Sequence, residues 1–217
     1  MIYATKGWKK SKGKNSFQYF FAVMIVFGVF CIPGQPAMAA DLDDFFQIGA
    51  AFMTNLTVHE LGHQLVADEV GATNHHIQFF AKDEGQFYFG FSSYDSIPTE
   101  SRLPYAVGGE KMSIYTFEYG LQSYRNRPST YNKSLMFFST FDFLAYTLVA
   151  NYLEPDNEKF DPNGIRKETG CSKEMLLGIA LTKTLINVYR YSNKEATIMP
   201  RIETNKDGAL FLIGFKF

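Results

Sequence analysis

The chain has 217 residues with 21 basic and 22 acidic side chains, and its formal net charge is −1 at pH 7. The first 39 residues hold five lysines and no acid, so the 178 residues that follow carry a net charge of −6. An acidic chain of this kind is not expected to bind nucleic acid, whose phosphates require a basic surface. The length suffices for one domain with a sizeable core.

The first 39 residues have the three parts of a secretory signal peptide. A lysine-rich segment is followed by the uncharged run Phe17 to Ile32 and then by the small residues of Ala37-Met38-Ala39. This order predicts cleavage after Ala39. An uncleaved membrane anchor is the alternative, but the run has 16 residues and a spanning helix needs about 20. We therefore predict a single domain of residues 40 to 217 that is exported to the periplasm or held at the membrane of the cell envelope.

The patterning of the remaining chain predicts an α+β fold that is mainly α. A first helix from Leu42 to Val70 starts with acidic residues and stops at Gly71. Two aromatic runs at 76–80 and 86–91 predict a β-hairpin. The other expected elements are two further core helices at 105–124 and 129–153, a solvated loop at 154–170, a C-terminal helix at 172–192 and a terminal β-hairpin with strands at 197–203 and 209–217.

The first helix contains His59-Glu60-Leu61-Gly62-His63. Residues four apart lie one above the other on a helix, so His59 and His63 can both present a ring nitrogen to one Zn²⁺. Glu60 is displaced by about 100° round the helix, where it can reach a zinc-bound water without being a ligand. The motif therefore predicts a hydrolytic zinc site with Glu60 as the catalytic base.

A catalytic zinc ion has three protein ligands, so one more residue is needed. A metzincin would have Gly and His where this chain has Val66 and Glu69, which excludes that class. Asp142 is the preferred third ligand because no other charged residue lies between positions 135 and 153. A buried carboxylate without a partner costs several kcal/mol. Pairing of Asp142 with a cation from another helix is the structural alternative, and Glu118 and Glu110 are alternative ligands.

Other side chains that could bind metals are less favoured. His75 and His76 follow the end of the first helix and are assigned to the hairpin, and Asp83 and Glu84 are assigned to its turn. Asp68 is expected on a solvated helix face. The acidic loop with Asp156, Glu158, Asp161 and Asn163 does not have the spacing of an EF-hand, and we expect it to be solvated rather than to bind calcium.

The order of these elements resembles the site-2 protease family of zinc metalloproteases. The zinc motif followed by Ala67 and Gly71 is similar to that family's HExGH followed by Ala and Gly at four-residue steps. The family continues with a β-hairpin, a helix with a GxxxN/S/G motif and a later helix with an Asp ligand. Gly109 to Ser113 and Asp142 occupy these places, although the family's Asp usually lies in an Asn-Pro-x-Asp-Gly-like context. The resemblance covers about residues 45 to 153 and implies that Ser113 assists the oxyanion.

Together these features predict a zinc-dependent peptidase of the cell envelope. We expect His59, His63 and Asp142 to hold Zn²⁺ while Glu60 deprotonates the zinc-bound water. The substrate would be a peptide or protein, bound in an extended form, and the aromatic surface would contact the membrane. The competing hypothesis is a non-catalytic envelope binding protein with a structural or degenerate zinc site.

Overall fold

A computed structural model describes residues 42–83, 86–205 and 208–215 of the chain. The signal-peptide prediction concerns residues that lie outside this part of the chain. Glu84 and the last two residues also lie outside it. The single-domain assignment of residues 40 to 217 stays a prediction. Within the described residues, no helix combines the length and the apolar character needed to cross a membrane.

The α+β, mainly α fold predicted from the sequence is confirmed. Helix α1 spans Leu42–Glu69, and strands β1 (His76–Asp83) and β2 (Gln86–Ser93) follow it. Helices α2 (Arg102–Asn126), α3 (Thr130–Leu148), α4 (Asp161–Thr169) and α5 (Lys173–Ser192) come next. Strands β3 (Ile198–Asn205) and β4 (Gly208–Phe215) end the described chain. A π-helical turn, Val149–Leu153, extends α3.

Local signals explain where several elements begin and end. Helix α1 has Asp43 and Asp44 in its first turn, and the chain leaves it through Gly71 in the left-handed region at φ +69°. The Ser129 side chain accepts a hydrogen bond from the Asn132 amide at the start of α3. Ser172 does the same for the Met175 amide at the start of α5. Such N-caps satisfy amides that have no partner within the helix.

The two hairpins are separate antiparallel sheets of two strands each. In the first sheet His76 is paired with Ser93 and Asp83 with Gln86, and in the second Ile198 is paired with Phe215. Helix α1 packs against both α2 and α3, and strand β2 packs beside α1. The hairpin β1–β2 therefore lies next to the helix that carries the zinc motif.

One predicted element is wrong. The segment expected to be a solvated loop contains α4, whose Pro162, Asn163 and Ile165 are buried. Pro162 lies in the first turn of α4, where its missing N–H costs nothing, and Gly170 ends the helix at φ +68°. The preceding Phe160 is 0% exposed and packs against Tyr88 and Tyr146. This apolar anchor, which the charges around it obscure in the sequence, draws α4 onto the helical core.

The main apolar core joins α2, α3, α4 and α5. Its buried members are Leu103, Ala106, Val107, Phe143, Ile165, Leu176 and Ala180. Helices α1 and α2 approach most closely at Gly62 and Gly108, where a Cβ on either residue would lie within 3 Å of the other's carbonyl group. Glycine inside a helix costs about 1 kcal/mol relative to alanine. Here it permits a backbone contact that brings the zinc motif against the first half of α2.

Candidate metal site

His59 and His63 lie one turn apart on α1, with their ring centroids separated by 5.1 Å. Both imidazoles face inward, and the exposed fraction of the His63 residue is 3%. Nδ1 of His63 donates a hydrogen bond to the carbonyl oxygen of Tyr105 at 2.7 Å. That contact fixes the His63 ring with Nε2 towards the centre of the site, and Nε2 of His59 points to the same place.

The third group at this point is the carboxylate of Asp161, the first residue of α4. Its Oδ2 atom lies 3.0 Å from Nε2 of His59 and 3.2 Å from Nε2 of His63. His59, His63 and Asp161 offer ligand atoms that all lie within 4.8 Å of one another. These three residues form the group that can hold a metal ion.

Space for an ion at this group depends on Gly109 of α2. A Cβ at position 109 would lie within 3 Å of Nε2 of both His59 and His63. Any other side chain would therefore occupy the position where the ligand atoms converge. Gly109 is also the first residue of the Gly109 to Ser113 segment noted in the family resemblance, so that segment lies against both imidazoles.

The charges of the group are strongly coupled. Burial lowers the pKa of His59, but the hydrogen bond and charge of Asp161 outweigh burial and raise that pKa to about 9. The pKa of His63 is also raised, because the charge of Asp161 outweighs burial. Burial would raise the pKa of Asp161, yet the charges of His63 and His59 hold it far below its usual range. Without a metal, protons on the imidazoles compensate Asp161, and a bound cation would replace them.

Asp142, the third ligand preferred from the sequence, lies on the other side of His59. Its Oδ2 is 4.0 Å from Nδ1 of His59. It accepts hydrogen bonds from Lys183 Nζ at 3.2 Å, the Phe143 amide at 2.6 Å, Ser113 Oγ at 2.5 Å and Asn55 Nδ2 at 3.3 Å. A carboxylate has about four lone-pair sites, so these donors occupy it. Asp161 therefore replaces Asp142 as the third candidate ligand, and the structural alternative, pairing with a cation from another helix, is observed.

The alternative ligands Glu110 and Glu118 are also paired elsewhere. Glu110 forms an ion pair with Lys183, and both side chains are buried. Burial raises the pKa of Glu110 to about 8, against the charge of Lys183, which lowers it. Glu118 accepts two hydrogen bonds from the guanidinium group of Arg190. Neither carboxylate belongs to the group around His59 and His63.

Most of the remaining residues considered from the sequence have their partners away from the candidate metal site. His75 pairs with Asp68 at 3.1 Å, and Asp83 pairs with Lys159. In the loop considered for calcium, Glu158 pairs with Lys167, whereas the Asn163 side chain donates to the carbonyl oxygens of Glu154 and Asn157. Only Asp161 of that loop reaches the candidate metal site.

Glu60 lies beside the metal-binding group without belonging to it. It is 5% exposed and packs so closely on β2 that a Cβ at Gly90 would lie within 3 Å of its side chain. Glu60, His63 and Asp161 together line a cleft of about 410 Å³. Tyr105 and Tyr146 line the same cleft. The site therefore combines two imidazoles, a candidate carboxylate ligand and a second carboxylate, and His63 and both carboxylates line the cleft.

Ser113 lies behind His59 rather than in front of it. Its hydroxyl is fully buried and 3.4 Å from Nδ1 of His59, the ring nitrogen opposite the one that faces Asp161. This position differs from the oxyanion role that the family resemblance implies for Ser113.

One signal in the sequence could have found Asp161. It precedes Pro162, a residue favoured in the first turn of a helix, so a helix beginning here was foreseeable. Lys183 gave no such signal, because a lysine in an amphipathic helix is usually solvated.

No family model, no curated protein and no solved structure matches this chain. The resemblance to site-2 proteases therefore stays a prediction that depends on the motif residues given above. Function has to be argued from the geometry of the site.

Proposed function

We propose that the protein is a zinc-dependent peptidase in which His59, His63 and Asp161 hold the ion and Glu60 is the catalytic base. The observation that carries the proposal is the convergence of two imidazole Nε2 atoms and one carboxylate oxygen next to an open cleft, which His63, Asp161 and Glu60 line. Catalytic zinc sites use three protein ligands and keep one position open. A structural site would have no need of the cleft or of a second carboxylate.

The distances suit zinc. Zinc bonds imidazole nitrogen and carboxylate oxygen at about 2.0–2.2 Å, and two such ligands at the tetrahedral angle lie about 3.4 Å apart. The separations from Asp161 Oδ2 to the two Nε2 atoms are 3.0 and 3.2 Å. Imidazole with carboxylate is a donor set that zinc accepts readily.

The zinc ion and the side chains of the protein have different roles in the proposed hydrolysis. A bound zinc ion supplies Lewis acidity and makes water acidic near neutral pH. Glu60 takes a proton from the attacking water and delivers it to the leaving amine, as expected of a general base within reach of the reacting groups. The near-complete burial of Glu60 and the contact with Gly90 hold its carboxylate in place. His63 is held by the Tyr105 carbonyl oxygen.

The wall of the cleft supports a peptide substrate. Residues 90 to 94 line the cleft consecutively. Since successive side chains of a strand point to opposite faces, an uninterrupted run indicates that the edge of β2 borders the cleft. Among the described strands β2 is paired only with β1, so this edge can accept an extended chain through backbone hydrogen bonds.

The proposed location is the cell envelope, because the N-terminal segment has the pattern of a signal peptide. The exposed side chains of Leu42, Phe45 and Phe46 at the start of α1, together with Tyr115 and Tyr119 on α2, support contact with a membrane surface.

The test compares Glu60→Gln with the wild type, both loaded with zinc and given a peptide mixture whose products are identified by mass spectrometry. We expect Glu60→Gln to keep about one zinc ion per chain and to lose about 100- to 10,000-fold in hydrolysis rate. Glu69→Gln, an exposed position at the end of the same helix, is the matched control and should cleave like the wild type. Equal rates for Glu60→Gln and the wild type would exclude this mechanism. Zinc binding without any hydrolysis by the wild type would favour the non-catalytic binding protein.

A further inference from the structure

A group of buried charges lies behind the candidate metal site, on the side of His59 away from the cleft. Lys183 of α5 is 0% exposed, and its partners Glu110 and Asp142 come from α2 and α3. Burying an ammonium group is costly unless its charge is compensated and its protons are donated. The proposed hydrolysis does not use this group, so its position next to a candidate ligand calls for another explanation.

The hydrogen bonds between Lys183 and His59 run in one direction. An ammonium group only donates, and Lys183 donates to Oδ1 of Asp142 at 3.2 Å. The Ser113 hydroxyl donates its single proton to Oδ2 of Asp142 at 2.5 Å. The Ser113 oxygen can then only accept from Nδ1 of His59, which lies 3.4 Å away. His59 must therefore carry a proton on Nδ1, so Nε2, the nitrogen that faces Asp161, is the one left to coordinate a metal ion when the ion displaces its proton.

His63 reaches the same arrangement in a simpler way. Its Nδ1 donates to the backbone carbonyl oxygen of Tyr105, an atom that can only accept. Both candidate ligands thus have their Nδ1 atoms held from behind, one by backbone and the other by side chains. Of the two histidines, only His59 is oriented by side chains, and a substitution can remove a side chain but not the backbone carbonyl that holds His63.

We propose that Ser113, Asp142 and Lys183 are positioning residues that hold His59 in the orientation and tautomer required for metal binding through Nε2. This inference rests on the proposed zinc site and assigns Ser113 to His59 rather than to an oxyanion. Asn55 adds a fourth donor to Asp142 at 3.3 Å, which leaves the carboxylate little freedom to turn. Hydrogen-bonded partners of this kind fix the ring orientation of metal-binding histidines.

The main test compares Ser113→Ala with Ser139→Ala. Both serines are fully buried, but the Ser139 hydroxyl donates to carbonyl oxygens of its own helix, at Leu135 and Met136. We expect Ser113→Ala to weaken zinc binding about 10- to 100-fold in a chelator competition assay. It should also change the visible absorption spectrum of the Co²⁺-substituted protein, while Ser139→Ala should change neither.

Two results would overturn the positioning role. Ser113→Ala with the zinc affinity and Co²⁺ spectrum of Ser139→Ala would do so, and so would a fall in kcat with both of those readouts unchanged, because that pattern indicates contact with the reacting oxygen. If the wild type binds zinc and cleaves peptide, such results leave the proposed function intact. Failure of the wild type to bind zinc would overturn both proposals.

A measurement on the wild type does not depend on the folding of a variant. Nitrogen-15 spectra of the histidine rings in the zinc-loaded protein distinguish coordination through Nε2 from coordination through Nδ1. We expect Nε2 coordination with a proton on Nδ1 for both His59 and His63. Coordination of His59 through Nδ1 would contradict the proposal.

Discussion

Asp161 and Asp142 lie at opposite sides of His59, and the two carboxylates differ in the groups that face them. Asp161 faces two imidazole Nε2 atoms at the bottom of the cleft. Asp142 accepts hydrogen bonds from four donors, one of which belongs to a fully buried lysine. The comparison indicates that proximity to a histidine is not enough to make a carboxylate available to a metal ion. Its lone pairs must also be free of a fixed cation.

The largest effect of a substitution is expected on the side of His59 where Asp142 lies, at the buried Lys183. Lys183→Met should destabilise the protein by about 3–5 kcal/mol, because it leaves the buried Glu110 and the partly buried Asp142 without a compensating charge. Lys167→Met, which breaks the exposed pair with Glu158, is the control and should cost about 0–1 kcal/mol. Urea unfolding measures both changes. Equal effects of the two substitutions would mean that Lys183 is not buried as described.

The pH dependence of the free energy of unfolding separates the contribution of His59, which faces Asp161, from that of Glu110, which pairs with Lys183 beside Asp142. In the folded, metal-free protein the pKa of His59 is about 9 against 6.5 ordinarily, and that of Glu110 is about 8 against 4.5. The folded state therefore binds more protons than the unfolded state. The stability from His59 is complete below pH 6.5 and is lost as the pH rises through 9. The contribution of Glu110 falls between pH 4.5 and 8.

The free energy of unfolding of the metal-free protein should consequently fall between pH 6 and 9, by about 2–3 kcal/mol for each of these two groups. Saturating zinc should remove the part due to His59, because the ion displaces its proton, and leave the part due to Glu110. Chemical unfolding at several pH values, with chelator or with zinc, measures both. A metal-free protein whose stability is constant or rises over this interval would contradict the charge assignment.

The smallest effects are expected from filling the space beside the His59 and His63 imidazoles, on the side of His59 that faces Asp161. Gly109→Ala should destabilise the protein by about 1–3 kcal/mol and weaken zinc binding, because the added methyl group meets both imidazoles. Gly49→Ala is the matched control in α1, where nothing lies within 4 Å of the added methyl group. It should raise stability by up to about 1 kcal/mol. Unchanged zinc affinity in Gly109→Ala would show that the ion does not bind against α2.

The parts of the fold that local signals determine were predictable from the sequence. Gly71, Ser129 and Ser172 mark helix ends through backbone geometry and capping, which neighbouring residues decide. The four-residue spacing of His59 and His63 is likewise a property of a single helix. These features needed no knowledge of how distant segments meet.

The third candidate ligand was not predictable in the same way. Asp161 is 102 residues from His59 along the chain, and only the packing of Phe160 and Ile165 brings α4 to the site. The sequence predicts a solvated loop at 154–170, whereas Pro162 lies in the first turn of a helix. The need of Asp142 for a partner was evident from its apolar surroundings. The sequence could not distinguish a metal from Lys183, because the choice depends on how α5 packs against α3.

Zinc binding by the wild type, Asp161→Asn and Asp142→Asn tests the central claim most directly. Metal analysis after dialysis against a small excess of zinc should give about one ion per chain for the wild type. Asp142→Asn should bind zinc more weakly, because Asp142 positions His59, but should still retain most of the ion, since its amide oxygen can accept from Ser113, whereas Asp161→Asn should lose it. Retention by Asp161→Asn together with loss by Asp142→Asn would contradict the assignment of Asp161 as the third ligand.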